Sequence, residues 1–274
     1  MIVQHRPPPA LAPAKPGLIR ADRLKRACDV GFGVGVLVVA LPVILAMWAI
    51  VRATSSGPGF YSQVRVGRGG RNYRIYKIRT MTHNCEAGSG AKWATKGDPR
   101  VTRVGGVLRK LHLDELPQIW NVLRGDMSLV GPRPERPEFV GPLSAEVDGY
   151  PERHRVRPGV TGLAQIQLPA DSDLESVRTK LVLDRHYVEN AGFWLDFRIM
   201  IGTVVYLLGF SYARVRRLLN LPNPLLETRV TGDARVYGVI GVLRLSLEPS
   251  QPRVQEGTPA VAAESGPIPC REAR

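Results

Sequence analysis

Within LHLDELPQIW, residues 111–120, Asp114 and Glu115 stand side by side ahead of Pro117 and the apolar residues Leu116, Ile119, Trp120, Val122 and Leu123. Adjacent carboxylates suit phosphoryl chemistry. An ionised Asp is a nucleophile for phosphorus. A neighbouring Glu is a hard oxygen ligand for Mg2+, which screens the repulsion between a carboxylate and an anionic pyrophosphate. A plainer reading fits the same residues: Asp114 caps the following helix by accepting a first-turn amide, and Pro117 is tolerated where no intrahelical donor is yet needed. The basic residues nearby favour the chemical reading. Arg109 lies just upstream, and Arg133 is fixed between Pro132 and Pro134, whose stiff backbone aims its guanidinium. Lys77 and Arg79 alternate with Tyr73 and Ile75 onto one face of a predicted strand, where two cations could hold a phosphate. With these cations and a helix N-terminus beside it, the charged form of Asp114 is expected to be favoured.

Several elements must position these side chains. FYSQVRVGRGGRNYRIYKIRT, residues 60–80, places two β-rich runs around Gly67-Arg68-Gly69-Gly70 and predicts a hairpin. Residues 105–123 read as helical with a break at the acid pair. Gly125, Gly131, Pro132 and Pro134 make 125–137 a loop, and Pro158-Gly159 and Gly162 punctuate 153–166 as turns. Ser172 and Glu175 have capping-box spacing, predicting a helix through VRTKLVLDRHYVEN. FWLDFRIMIGTVVYLLGF, residues 193–210, is apolar around most of its circumference and is trailed by Arg214, Arg216 and Arg217. It is expected to lie in the lipid interface with its basic end on anionic headgroups.

Residues 30–51 form a run of 22 without a charge, long enough to cross a bilayer and too long for a cleaved signal peptide. Pro42 removes an intrahelical hydrogen bond near its middle. Both flanks are basic, with Arg20, Arg23, Lys25 and Arg26 before it and Arg52, Arg65 and Arg68 after it. The positive-inside rule therefore places both ends in the cytoplasm. A helix that enters, breaks at Pro42 and returns satisfies both flanks; a plain single span is the alternative.

The 274 residues carry 38 Lys+Arg against 24 Asp+Glu, a net charge of +14 that predicts polyanionic company. Nucleic acid is not expected, because the basic residues surround an acid pair and lack interleaved stacking aromatics. Cys28, Cys85 and Cys270 make neither a disulfide framework nor a metal spacing, which points to a reducing compartment. His83, His112, His154 and His186 are scattered and read as structural or solvated. Phe193, Trp120 and Trp194 read as core or interface packing. Asp171-Ser172-Asp173 has the DxD spacing of metal-dependent glycosyltransferases, which release UDP, although the helix start already explains it. Residues 1–18 are proline-rich and read as a disordered arm, 19–54 as the re-entrant membrane helix and 55–219 as the catalytic domain. Residues 220–274 form a C-terminal extension, strand-like at 235–247 and largely disordered from about 248.

KRACD (25–29), the proline thirteen residues after Asp29, YKIRTM (76–81), DPRVTRVG (98–105), LDELPQIWNVLRGDMSLVGPRP (113–134) and RHRVRPGVTGLAQ (153–165) occur in this order. They resemble the bacterial sugar transferases, short monotopic polyprenyl-phosphate sugar-1-phosphate transferases, from about Lys25 to Leu208. The resemblance implies a mixed α+β fold, helix-rich with a small antiparallel sheet element, on the cytoplasmic face of the inner membrane. It implies that Asp114 attacks a UDP-sugar and expels UMP. Undecaprenyl phosphate then resolves the phosphosugar–aspartyl intermediate, initiating exopolysaccharide, O-antigen or glycoprotein glycan assembly. Glu115 would bind Mg2+; Lys77, Arg79, Arg109 and Arg133 would contact phosphates or nucleotide; Pro42 would break the membrane helix. The sugar and any homo-oligomer stay open. Two features depart from the family pattern. AQIQLPADSD lacks the Asn-Gly-Arg whose arginine grips phosphate, leaving Arg155, Arg157 or Arg178 to compensate or the chain a degenerate, non-catalytic member. Leu41-Pro42 also stands where Ser-Pro is common.

Overall fold

A computed structural model describes residues 16–225 except 88–89, 91, 93–94, 96, 170 and 172, with side chains from residue 22 onward. The strand-like stretch at 235–247 and the tail from about 248 lie outside the described residues.

Helix α1 (Pro16–Thr54) is helical through Pro42 rather than divided there into two helices. By length and composition, Asp22–Thr54 is sufficient to cross a membrane. Its buried residues form one stripe, Asp29, Gly33, Ala40, Ile44 and Val51, at helical spacing. Along this stripe Arg26 donates to the carbonyls of Val122 and Leu123. Asp29 accepts from the Ser128 hydroxyl at 3.0 Å and the Leu129 amide at 3.1 Å. Further along, Ala40, Ile44 and Val51 pack with Ile78 and Leu108. Val34, Val38, Val39, Leu41 and Leu45 on the other faces are exposed. The helix therefore lies along the protein body and turns an apolar surface outward.

Strands β1 (Phe60–Val66) and β2 (Asn72–Ile78) pair antiparallel, with register from Phe60↔Ile78 to Val66↔Asn72. They form the expected hairpin, closed by a 3-10 turn in which Gly69 and Gly70 have φ of 67° and 76°. Helix α2 (Arg103–Lys110) starts at Thr102, whose hydroxyl accepts the Gly105 amide at 2.9 Å. A Cβ at Gly105 would overlap the Thr80 carbonyl, so this glycine lets α2 close onto the end of the hairpin. A 3-10 turn (Leu113–Glu115) and α3 (Gln118–Arg124) follow. Helix α3 ends at Gly125, whose φ of 93° lets its amide reach the Asn121 and Val122 carbonyls.

Two short strands, β3 (Ser128–Val130) and β4 (Gly159–Thr161), pair in parallel inside segments expected as loop and turn. Three-residue strands flanked by glycine and proline leave no periodicity to read. Helix α4 (Pro137–Glu146) was likewise not signalled. The N-cap of helix α5 (Leu174–Asn190) is Asp173, one residue after the expected cap, and its carboxylate accepts the Ser176 amide at 2.8 Å. Helix α6 (Phe193–Leu207) buries Leu195, Asp196, Ile199 and Gly202, and α7 (Tyr212–Leu218) follows it. A core of Val130, Leu163, Ile166, Leu183, Tyr187, Ile199 and Val215 joins β3 to the last three helices.

On its outer side α6 exposes Phe193, Phe197, Ile201, Val204 and Leu207, and Trp194 is 72% exposed. Trp120 is 52% exposed on α3, so these aromatics lie on the surface rather than in the core. The fold is mixed α/β and helix-rich, and its exposed apolar helices make it membrane-associated.

Candidate active site

The acid pair sits on the 3-10 turn between α2 and α3, entered through His112 in the left-handed conformation with φ of 55°. Asp114 does not cap α3. The N-cap position is Pro117, which makes no side-chain cap, and the intervening turn is closed by backbone bonds. Instead, Asp114 is only 7% exposed, and among the described residues its carboxylate takes no hydrogen bond or ion pair. Burial raises its pKa; Lys77 opposes this and the charge of Glu115 adds to it. The expectation of a favoured charged form is thus reversed, because lost hydration outweighs the surrounding cations.

Glu115 is the opposite case. Its Oε1 accepts from Lys77 Nζ at 2.6 Å and from Arg133 Nη2 at 2.8 Å, while Oε2 lies 3.4 Å from Arg133 Nη1. Burial pushes its pKa up, but Arg133 and Lys77 more than offset this and hold the carboxyl well below its usual range. Burial lowers the Lys77 pKa against the pull of Glu115.

Sequence-distant contacts build this arrangement. Asn121 is fully buried; its Oδ1 accepts the Tyr76 amide at 3.2 Å and its Nδ2 donates to the Arg74 carbonyl at 2.6 Å. It fastens α3 along β2, which brings the acid turn over Lys77. The Arg133 loop is held by its neighbours: the Gly131 amide donates to Thr161 at 2.9 Å and the Gly159 amide to the Pro132 carbonyl at 3.0 Å. Arg109 is anchored through Nε to the Thr80 hydroxyl at 2.8 Å.

A cavity of about 620 Å³ brings Lys77, Arg79, Arg109, Asp114, Glu115 and Arg133 together. Arg79 is nevertheless committed elsewhere. Its guanidinium donates to the carbonyls of Ser55, Ser56 and Gly57 and to the Ser55 hydroxyl, latching the hairpin to the chain that leaves α1. Arg79 follows directly on β2, and this position brings it against that chain. His112 and Lys180 also line the cavity. The sequence assigned His112 to packing or solvent, and Lys180 comes from α5 without any local motif. Of the arginines expected to compensate on the C-terminal side, Arg157 pairs with Asp22 at 2.7 Å and Arg178 lies 3.6 Å from Glu175. Neither they nor Arg155 line this cavity.

Among the described residues no three His, Cys, Asp or Glu side chains gather as a metal site. Of the DxD residues, Asp173 caps α5, and Asp171 lines the cavity paired with Lys180 at 2.7 Å. The acid pair still suits Mg2+, which takes one or two carboxylates and completes its shell with phosphate and water. Glu115 Oε1 already holds two cations and Oε2 takes one longer contact from Arg133 Nη1 at 3.4 Å, so Oε2 is the less committed oxygen for it.

A family model described as bacterial sugar transferase matches residues 20–209. The UDP-N-acetylgalactosamine-undecaprenyl-phosphate N-acetylgalactosaminephosphotransferase of Aeromonas hydrophila is 45% identical over 189 residues, 69% of this chain and 44% of that relative. The UDP-glucose:undecaprenyl-phosphate glucose-1-phosphate transferase of Caulobacter vibrioides is 40% identical over 192 residues, 69% of this chain and 72% of that relative. The exopolysaccharide production protein PSS of Rhizobium leguminosarum bv. phaseoli is 40% identical over 189 residues, 66% of this chain and 94% of that relative. The chain thus spans less than half of the Aeromonas protein and nearly all of the Rhizobium one. The matched stretch takes in the acid turn, the hairpin lysine and the Pro-Arg-Pro loop, and the chain belongs to the bacterial sugar transferase family.

Proposed function

We propose that the protein transfers a sugar 1-phosphate from a UDP-sugar to undecaprenyl phosphate at a membrane surface, releasing UMP. One observation carries this reading: Asp114, a buried carboxylate with no hydrogen bond or ion pair among the described residues, lines a cavity together with Arg109 and with Lys77 and Arg133, the two cations that Glu115 holds. In the first transfer an Asp114 oxygen forms a bond to the sugar-bearing phosphorus. The bond to the bridging oxygen breaks, and UMP leaves with the electron pair. In the second, an oxygen of the lipid phosphate attacks the same phosphorus and the carboxylate of Asp114 is released unchanged. Neither transfer requires a net proton.

Burial suits the nucleophile, because a desolvated carboxylate with a raised pKa is more basic when ionised. Lys77, Arg109 and Arg133 line the cavity as counter-charges for the diphosphate. Glu115 keeps Lys77 and Arg133 at fixed distances, so these cations do not reorganise during transfer. Mg2+ on Glu115 would supply further charge neutralisation at the diphosphate.

The apolar faces of α1 and α6 support docking on the cytoplasmic face of the inner membrane, where the basic flanks of α1 and the arginines of α7 meet anionic headgroups. The relatives are named for both N-acetylgalactosamine and glucose transfer, so their names do not select the sugar. Such a product would start exopolysaccharide or related glycan assembly. The test uses membranes carrying the protein, undecaprenyl phosphate, Mg2+ and a panel of UDP-sugars, scoring UMP against UDP. UMP release that disappears in Asp114→Asn supports the reading and names the sugar; UDP release opposes it.

A further inference from the structure

We infer that His112 receives the phosphate of the lipid acceptor at the membrane side of the cavity, an inference that rests on the transferase reading. His112 lies two residues before Asp114 and lines the same cavity. Its side chain is exposed, and among the described residues its ring nitrogens make no hydrogen bond. Its backbone holds φ of 55°, a conformation disfavoured for side chains with a Cβ, in order to enter the acid turn. The imidazole meets Tyr206 edge to face, with ring centroids 6.2 Å apart and planes at 69°. Tyr206 belongs to α6 and stacks on Tyr212 at 5.0 Å, their hydroxyls 3.0 Å apart. Around it Val204, Leu207 and Leu208 are exposed, as is Leu111 next to the histidine.

One ring therefore joins the catalytic cavity to the lipid-facing helix. The two substrates arrive from different phases. A UDP-sugar is water-soluble, whereas a polyprenyl phosphate keeps its chain in the bilayer and its phosphate at headgroup depth. The cavity lining that touches α6 is where the second phosphate comes to the site. Lys77 and Arg133 are engaged with Glu115, while the imidazole N–H of His112 is free to donate to a phosphate oxygen. Its part is to bind and orient the attacking phosphate while the new oxygen–phosphorus bond forms and the bond to Asp114 breaks.

The test uses the full chain in nanodiscs with the sugar identified from the panel, varying undecaprenyl phosphate at saturating UDP-sugar. His112→Asn is the informative variant, because asparagine tolerates the left-handed backbone. The expected result is a KM for the lipid phosphate raised about tenfold, the size of one lost hydrogen bond to a charged group. The KM for the UDP-sugar, and the UMP burst seen without lipid phosphate, stay within about twofold, as expected for a contact made only to the second substrate. Tyr206→Leu keeps the histidine but removes the ring it rests on, and it raises the same KM by a smaller factor. An unchanged lipid KM in both variants overturns the inference, as does a parallel loss of the burst. Absence of any UMP burst in the unmodified protein would instead sink the transferase reading itself.

Discussion

Arg153 donates through Nη2 to the carbonyl oxygen of Arg133 at 2.8 Å, so one buried arginine fixes the loop that presents another to the site. Arg153 is itself held by the Tyr150 hydroxyl at 2.7 Å and by Asp184 at 2.8 Å. Burial raises the Asp184 pKa against the pull of Arg153 and Lys180. Asp184→Ala leaves the guanidinium without its acid. The fold should lose about 3 kcal/mol, the lower end for breaking a buried pair, read from urea unfolding in detergent. The KM for the UDP-sugar should rise as the Arg133 loop loosens. A variant as stable as the parent with normal KM would show that Tyr150 alone seats Arg153.

Glu115 holds two cations that would otherwise repel each other. Glu115→Gln keeps the shape but removes the anion between Lys77, which is mostly buried, and Arg133, whose side chain is 37% exposed. UMP release should fall by about a hundredfold, as when a preorganised electrostatic group is removed from a site. A drop in thermal stability should accompany it, because the largely buried Lys77 charge loses its partner. If turnover falls while excess Mg2+ restores it, Glu115 serves the metal more than the cations.

The direction of the Asp114 shift fixes the sign of a pH effect. Burial raises its pKa above the ordinary value of 3.8, so as pH falls this nucleophile takes up its proton earlier than an exposed aspartate. The acidic limb of kcat/KM for the UDP-sugar should therefore lie above the ordinary aspartate range. Lys77→Met should move that limb higher still, because Lys77 is the leading influence opposing the shift. A limb at or below the ordinary value would show that bound substrate or metal overrides burial.

The parts of the site that sequence made legible were local. The hairpin announced itself through alternation around Gly67-Arg68-Gly69-Gly70, and the acid turn through a break in helical periodicity. Strands β3 and β4 stayed hidden because three residues carry no period, yet they set the Arg133 loop. Arg79 lines the cavity, but its guanidinium is engaged by the Ser55–Gly57 carbonyls just past the end of α1; alternation predicts a face and not a partner. The shift of Asp114 was missed for a related reason. Nearby cations are visible in a sequence, whereas the burial that outweighs them comes from the packing of distant segments.

Lys25, near the start of the described part of α1, is bound to Asp196 at 2.6 Å, and Val51, near its end, packs with Ile78 and Leu108. Straight, the 33 residues Asp22–Thr54 measure about 50 Å, more than a hydrocarbon core. A perpendicular span would carry one of these contacts toward the opposite face, away from the described residues that make the other. In a background lacking Cys28, Cys85 and Cys270, Arg23→Cys and Thr54→Cys should both react with a membrane-impermeant maleimide in inverted vesicles, and neither in intact spheroplasts. Val39→Cys, at a position 74% exposed from protein, should resist labelling from both sides because lipid covers it. Labelling of Arg23→Cys and Thr54→Cys from opposite faces would make α1 a span. It would also mean that the protein-facing stripe from Asp29 to Val51 parts from the body in the membrane, a loss of buried apolar and charged contacts with nothing to replace them.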